Sequence, residues 1–440
     1  MRKFTKLLAV LLLWCLVSLP ASAQGLIRDA EIEASLRQIA KPLLKQAGMP
    51  SGGVKFFIVN SNKMNAFVLN GRNIFINYGL IQRLKTPEQL QAVIAHEIAH
   101  ISGGHFAQRV GSLRNAQNNA VLGLILGLAV AAAGEPGAAA GIISGTGSAA
   151  QRGFFAHTRS QEEESDRIGL RIMMNAGINP NAMVEVLEIF EGQDLLTAKR
   201  RDPYAQTHPL MAERLATVRA IASANQDRAY KVSPTTTYYY NRMRAKFAGF
   251  IGNPSATLRR IGKSDNSETA VYARAIAYHK LPNRKKAAQE IAKLLKIRPD
   301  DPFYNELNGQ FQLENGNPQA AIASYQRAIA LAPREPQILA GLGRAQLAGG
   351  QSKAALGTLQ KAYARDSKDS RMLRDLATAY AKTGQPGLAS LVTAERFALQ
   401  GNFGVARTHA NRALSLLPNG SVGANKARDI LVVAERATRS

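Results

Sequence analysis

Apolar residues recur along this chain with two periods, and the changes between them mark out elements. Over residues 27–47, Ile27, Ile32, Leu36, Ile39 and Leu43 line one face of an amphipathic helix. Val54 to Val59 reads as a strand. Asn65 to Leu69 and Asn73 to Ile76 read as a hairpin turning at Asn70-Gly71. Helical spacing returns between Gln89 and Ile101, where Leu90, Val93, Ile94, Ile98 and Ile101 fall three and four apart. Thr86 is a natural N-cap there, Pro87 fits the first helical position, Gln89 completes a capping box, and Gly103-Gly104 ends the helix. Ala120 to Ala133 is almost purely apolar, Glu135-Pro136 breaks it, and Gly137 to Ala150 continues it. Each half is short for a membrane span. Three readings stand: a small-residue hairpin near the functional site, a buried core hairpin, or membrane insertion. A further helical pattern runs from Gln161 through Met173, and Asn179-Pro180 breaks it from the next.

The C-terminal part repeats. Gly316, Gly350 and Gly384 are 34 residues apart, and so are Ala287, Ala321, Ala355 and Ala389. Pro299 and Pro333 keep the same interval, as do Gly309 and Gly343, while Tyr325 and Ala328 fill further expected positions. This is the tetratricopeptide period, a helix pair whose small residues allow close packing. After Gly384 the period slips: Gly401-Asn402-Phe403 to Pro418 reads as a second repeat helix arriving early. Residues 421–437 read as a capping helix.

Composition changes the picture in three places. At 440 residues and 46% hydrophobic, the chain is folded and long enough for two or three domains. Residues 1–23 read as a signal peptide: Arg2, Lys3 and Lys6, then an apolar run from Leu7 to Leu19, then Ala21-Ser22-Ala23 as the cleavage site. Its removal takes away Cys15, the one cysteine, so the exported fold uses no disulfide. The formal net charge of +25 suits an anionic membrane surface, and equally suits solubility alone. Tyr238-Tyr239-Tyr240 with nearby basic residues could stack bases, but no groove-reading motif accompanies them. We read them as packing between two domains and expect no nucleic-acid partner.

The chemistry lies in His96-Glu97-Ile98-Ala99-His100. Residues four apart share a helix face, so both histidines can address one ion, with Glu97 turned by about 100° and near enough to hold a water. Two imidazoles and a third ligand suit zinc and leave a fourth position open. With 7 His in the chain, this pattern arises by chance in fewer than about one such chain in a hundred. Downstream, Glu162 and Asp166 lie four apart on one face. One carboxylate can close the site and a second can hold a ring N–H. An acidic first turn complementing the helix dipole would use the same residues. His105 cannot share the ion with both histidines, and lies behind them or on the surface.

His-Glu-x-x-His, then Arg159-x-x-Glu162-x-Glu164-Ser165-Asp166, then Thr207-His208-Pro209 with Arg214, resembles the zinc metallopeptidases related to the CAAX prenyl endopeptidases. Within them the chain is similar to the periplasmic BepA-like branch, which joins such a protease to tetratricopeptide repeats. The family's Glu-Ala-Asp reads Glu164-Ser165-Asp166 here. The resemblance implies Glu162 as the third zinc ligand, Asp166 and Arg214 behind the ligands, and His208 at the active site. It also implies a periplasmic endopeptidase for stalled or misfolded outer-membrane β-barrel proteins, partnered by the β-barrel assembly machinery through the repeats. A second reading is a chaperone or assembly scaffold with a regulatory metal site. In the expected fold, mainly α, residues 24–262 form a zincin-type α+β peptidase domain with a small sheet. Residues 263–440 form a helical tetratricopeptide-repeat solenoid. One Zn2+ is held by His96, His100 and Glu162, with Glu97 as base. His208 either gates the ion or donates to the oxyanion. Asn73 to Asn77 resembles the strand along which substrate pairs in such peptidases, and fits an ordinary core hairpin almost equally well.

Overall fold

The computed structural model describes residues 25–439 apart from 51, 70, 116–157, 197–199, 210–211 and 263. The signal segment and the apolar stretch 120–150 therefore lie outside the described residues.

Among the described residues the chain is mainly helical, with one four-stranded sheet. Strands β1 (Leu26–Ile27), β2 (Lys55–Val59), β3 (Ala66–Leu69) and β4 (Asn73–Asn77) take the order β1-β2-β4-β3. β2 runs parallel to β4, and β3 and β4 form the expected hairpin, with Leu69 opposite Asn73. Two expectations change. Ile27 belongs to a two-residue edge strand, and the helix begins only at Ala30, capped by Asp29. Asn73–Asn77 is an interior strand with neighbours on both sides, so it cannot take a substrate strand. The edge on that side is β3.

The helix Pro87–Ser102 is buried nearly all round from Pro87 to His100. A helix with no polar face to spare must lie inside a domain. On one side Gln91 donates to the carbonyl of Ile39 at 3.0 Å, tying it to the helix Ala30–Gln46. On the other, the helices Arg159–Asn175 and Asn181–Ile189 complete a single core. Thr86 caps it as expected. Gln89 does not close the box: its side chain accepts from Lys85 N at 2.6 Å and donates to Glu185 at 2.7 Å. A full capping box stands instead at Thr158 and Gln161, where the next functional helix begins.

From Glu268 onward the chain is a succession of helix pairs, with first helices starting at Glu268, Pro302, Pro336 and Ser370, in step with the repeat. Tyr325 packs between two glycines, of which Gly309 holds a repeat position. A Cβ on Gly309 would lie 2.8 Å from its ring, and one on Gly341 2.4 Å, so bare backbone is needed on both sides. Helices Phe403–Leu416 and Val422–Arg439 close the array. The helix Pro234–Phe250 joins the two parts. Tyr238 reaches Glu268, Tyr240 reaches the Leu84 carbonyl, and Arg242 binds both Glu31 and Asp301.

Candidate metal centre

His96 and His100 stand one turn apart on the buried helix, 3% and 1% exposed. Helix Arg159–Asn175 lies so close that a Cβ on Gly169 would meet His96 N at 3.3 Å and Met183 Cε at 3.1 Å. That approach brings the wholly buried Glu162 between the rings, with Oε1 3.3 Å from His100 Nε2 and Oε2 3.5 Å from His96 Nε2. The two Nε2 atoms are 3.0 Å apart. His208 arrives at the end of the short helix Pro203–Thr207, its Nδ1 3.0 Å from Glu162 Oε1 and 3.3 Å from His96 Nε2. One donor atom from each of the four residues lies within 4.8 Å of every other.

Zinc–nitrogen bonds of about 2.0–2.1 Å in a tetrahedron place ligand atoms roughly 3.4 Å apart. The separations of 3.0 to 3.5 Å are of that size, and imidazole and carboxylate are the donors zinc takes. The set fits zinc.

Behind the donors, His96 Nδ1 meets Asp166 Oδ1 at 2.9 Å. Arg214 donates to both Asp166 oxygens, at 2.8 and 2.9 Å, and to the Pro209 carbonyl at 2.8 Å. Its Nη1 also lies 2.7 Å from Glu162 Oε2. One buried guanidinium thus ties two helices to the loop that carries His208. Tyr204 packs on the His208 ring at 4.6 Å between centroids.

Burial raises the carboxyls of Glu162 and Asp166, but His208 and Arg214 for the first, and Arg214 and His96 for the second, outweigh it and hold both low. Burial lowers His96, yet hydrogen bonds to Asp166 and Glu162 reverse this and lift it to about 10. For His100 burial wins, and its pKa falls well below the ordinary value. Glu97 is fully buried and raised by that burial, which His208 and His96 only partly offset. Neither of its oxygens has a hydrogen-bond partner among the described residues. Such a carboxylate is costly unless something accessible to the site completes it.

Residues 30–222 match the profile of Peptidase family M48, and residues 312–372 that of the tetratricopeptide repeat. The chain carries an M48 peptidase domain followed by tetratricopeptide repeats. A relative in Yersinia pestis named beta-barrel assembly-enhancing protease is 26% identical over 324 residues, 72% of this chain and 65% of that one. A relative of the same name in Escherichia coli (strain K12) is 27% identical over 310 residues, 69% of this chain and 62% of that one. The match thus spans less than two thirds of these relatives. Among solved structures, "MamA 41-end from Desulfovibrio magneticus RS-1" covers 36% of this chain and 93% of its own, at 20% identity and TM-score 0.33.

The M48 domain brings together all seven expected residues: His96, Glu97, His100, Glu162, Asp166, His208 and Arg214. His105 is fully buried, not on the surface, with Nδ1 2.8 Å from His100 Nδ1. Spacing missed Arg109, a half-buried base on helix His105–Asn115. Burial lowers its pKa to about 10, against the pull of Glu162 and Glu97. It also missed Ser165, whose Oγ is 3.1 Å from His100 Nδ1. The position of Ser165 three residues after Glu162 on the same helix was the available signal.

Proposed function

We propose that this chain is an exported zinc endopeptidase, acting in the periplasm on unfolded or misassembled outer-membrane β-barrel proteins. The observation that carries the reading is the four-donor cluster with the buried carboxylate of Glu97 beside it, which accepts no hydrogen bond among the described residues and faces His208 Nε2 at 3.4 Å. His96, His100 and Glu162 hold the ion, and Asp166 and Arg214 fix their orientation. Zinc there would polarise the scissile carbonyl and make water nucleophilic near neutral pH. Glu97 takes the proton of the attacking water and delivers it to the leaving amine. Burial, by raising its pKa, moves it towards the working pH.

An extended substrate would add to the edge strand β3. His208 stands in its way. Its Nε2 is 3.3 Å from the Ala66 carbonyl on that edge and 3.4 Å from Glu97 Oε1, while its Nδ1 takes the fourth corner of the cluster. This supports a gate over an oxyanion donor: the ring covers the substrate edge and the base and sits among the donors that would hold the ion, so it must swing out before cleavage. A protease working beside unfolded clients needs such restraint.

The names of the relatives direct the choice of client. The repeats supply a surface for the client or for the β-barrel assembly machinery. Residues 1–23 direct export, and the surplus positive charge favours contact with anionic membrane. No helix among the described residues is long and apolar enough to cross a membrane.

The closed position of His208 also favours a second reading, a chaperone or scaffold that does not cleave. To separate them, the purified chain is incubated with an unfolded outer-membrane β-barrel protein and with a short unstructured peptide. Cleavage that stops on chelation and returns with zinc is expected. Zinc-loaded protein that binds the client but cuts neither, even as His208→Ala, would leave the scaffold reading.

A further inference from the structure

We propose that His105 positions His100 through a relay of two imidazoles that ends on the exposed carboxylate of Glu164. The proposal rests on the zinc reading of the cluster.

His100 turns Nε2 towards the other donors, 3.0 Å from His96 Nε2 and 3.3 Å from Glu162 Oε1. A neutral imidazole offering a lone pair on Nε2 carries its proton on Nδ1. That N–H needs an acceptor, because the ring is buried. His105 Nδ1 is 2.8 Å away and Ser165 Oγ 3.1 Å. To accept on Nδ1, His105 must carry its own proton on Nε2, and that atom faces Glu164 Oε2 at 3.3 Å. The two tautomers are then fixed in series. His100 Nδ1–H donates to His105 Nδ1, and His105 Nε2–H donates to Glu164.

The chain is shaped for this. Gly104 has φ of +64°, where a side chain would be strained. A Cβ on Gly103 would lie 2.5 Å from His105 Nε2. The Gly-Gly turn therefore both starts a new helix and leaves room for the ring behind His100. The partner histidine is held differently: His96 meets Asp166 directly, and Asp166 is locked by buried Arg214. The His100 relay instead reaches a carboxylate whose side chain is 54% exposed, so this arm of the site communicates with solvent.

The test uses the full chain carrying Glu97→Gln, so that cleavage cannot interfere. Zinc affinity is measured by competition with a chromophoric chelator, and Co2+ bound in the site reports ligand geometry through its visible absorption. His105→Asn keeps an acceptor near the Nδ1 position, whereas His105→Phe keeps a ring without one. His105→Phe should bind zinc about 10–100-fold more weakly and shift the cobalt bands, while His105→Asn stays within about threefold of the parent. The metal-free proteins should melt alike. Glu164→Leu, at an exposed position, should lose several-fold in zinc affinity.

Parent-like binding by His105→Phe would overturn the proposal. So would equal losses in His105→Phe and His105→Asn, which would make the ring's volume the cause. A loss in Ser165→Ala absent from His105→Phe would give the His100 proton to the serine. If His105→Phe does not fold, unchanged affinity and spectrum in Glu164→Leu overturn the relay alone. A parent that takes up no zinc would instead overturn the zinc reading itself.

Discussion

Arg242→Met tests what couples the peptidase domain to the repeats. Arg242 is 1% exposed. It donates to Glu31 at 2.6 Å, to both oxygens of Asp301 and to the Tyr238 hydroxyl, and lies 4.1 Å over the Tyr304 ring. Glu31 is wholly buried in the first helix of the peptidase domain, and Asp301 caps the helix Pro302–Glu314 in the repeats. Three carboxylates, Asp29, Glu31 and Asp301, share Arg242 and Lys246. Methionine fills most of the volume but leaves three carboxylates with one cation. Breaking a buried pair from one side costs about 3–5 kcal/mol. Asp301 is partly exposed and regains water, which limits its share. Loss of the ring contact adds about 1 kcal/mol. The expected total is about 4–5 kcal/mol. Denaturant unfolding followed by circular dichroism measures it, with limited proteolysis between the two parts as a second readout. Arg242→Lys keeps the charge but not the fork and should lose less. Glu31→Leu with Arg242→Met should recover much of the loss, because apolar groups can replace a buried pair at little cost. A loss under about 1 kcal/mol for Arg242→Met, or a double variant as unstable as the sum of its parts, would refute the reasoning.

Other expectations are as direct. His208→Ala should raise cleavage of a short unstructured peptide and bring self-cleavage. A fall of roughly 10²–10³-fold at equal zinc occupancy would make His208 an oxyanion donor instead, and an unchanged rate would remove it from the site. Gly169→Val should force the helix Arg159–Asn175 away from the backbone of Ala95 and His96, loosening zinc and lowering turnover at least tenfold. Parent-like zinc content and rate would refute that. Glu306 faces Lys246, Asp29, Glu31 and Glu335, and burial raises its pKa from 4.5 to about 8 despite Lys246. The folded chain then holds a proton between pH 4.5 and 8 that the unfolded chain has lost, so stability falls as pH rises through that window, by at most about 1.4 kcal/mol per unit. Glu306→Gln should flatten that slope, and an unchanged slope would show that Glu306 is not its source.

What could be read in the sequence is what depends on near neighbours. The spacing of His96 and His100, the cap at Thr86, the shared face of Glu162 and Asp166, and the 34-residue interval are all local, and all reappear. What failed depends on partners far along the chain. Gln89 is drawn from its own cap by Glu185, 96 residues away. The interior place of Asn73–Asn77 follows from its parallel pairing with β2, which no alternation of residues reveals. Leu26–Ile27 is too short to show a period. For His105 the sequence left two places open, behind the paired histidines or on the surface. Gly103-Gly104 breaks the helix and returns the ring to His100. The grip of Arg214 on Asp166, Glu162 and Pro209 needed the fold to close.

The central claim is a zinc peptidase whose base is Glu97. Zinc content and peptide cleavage measured on the same preparations of wild type, Glu97→Gln and His96→Ala test it most directly. Wild type should hold one zinc per chain and cleave. Glu97→Gln should hold one zinc and not cleave, and His96→Ala should do neither. Cleavage by Glu97→Gln at the wild-type rate, in protein freed of other proteases, would contradict the account.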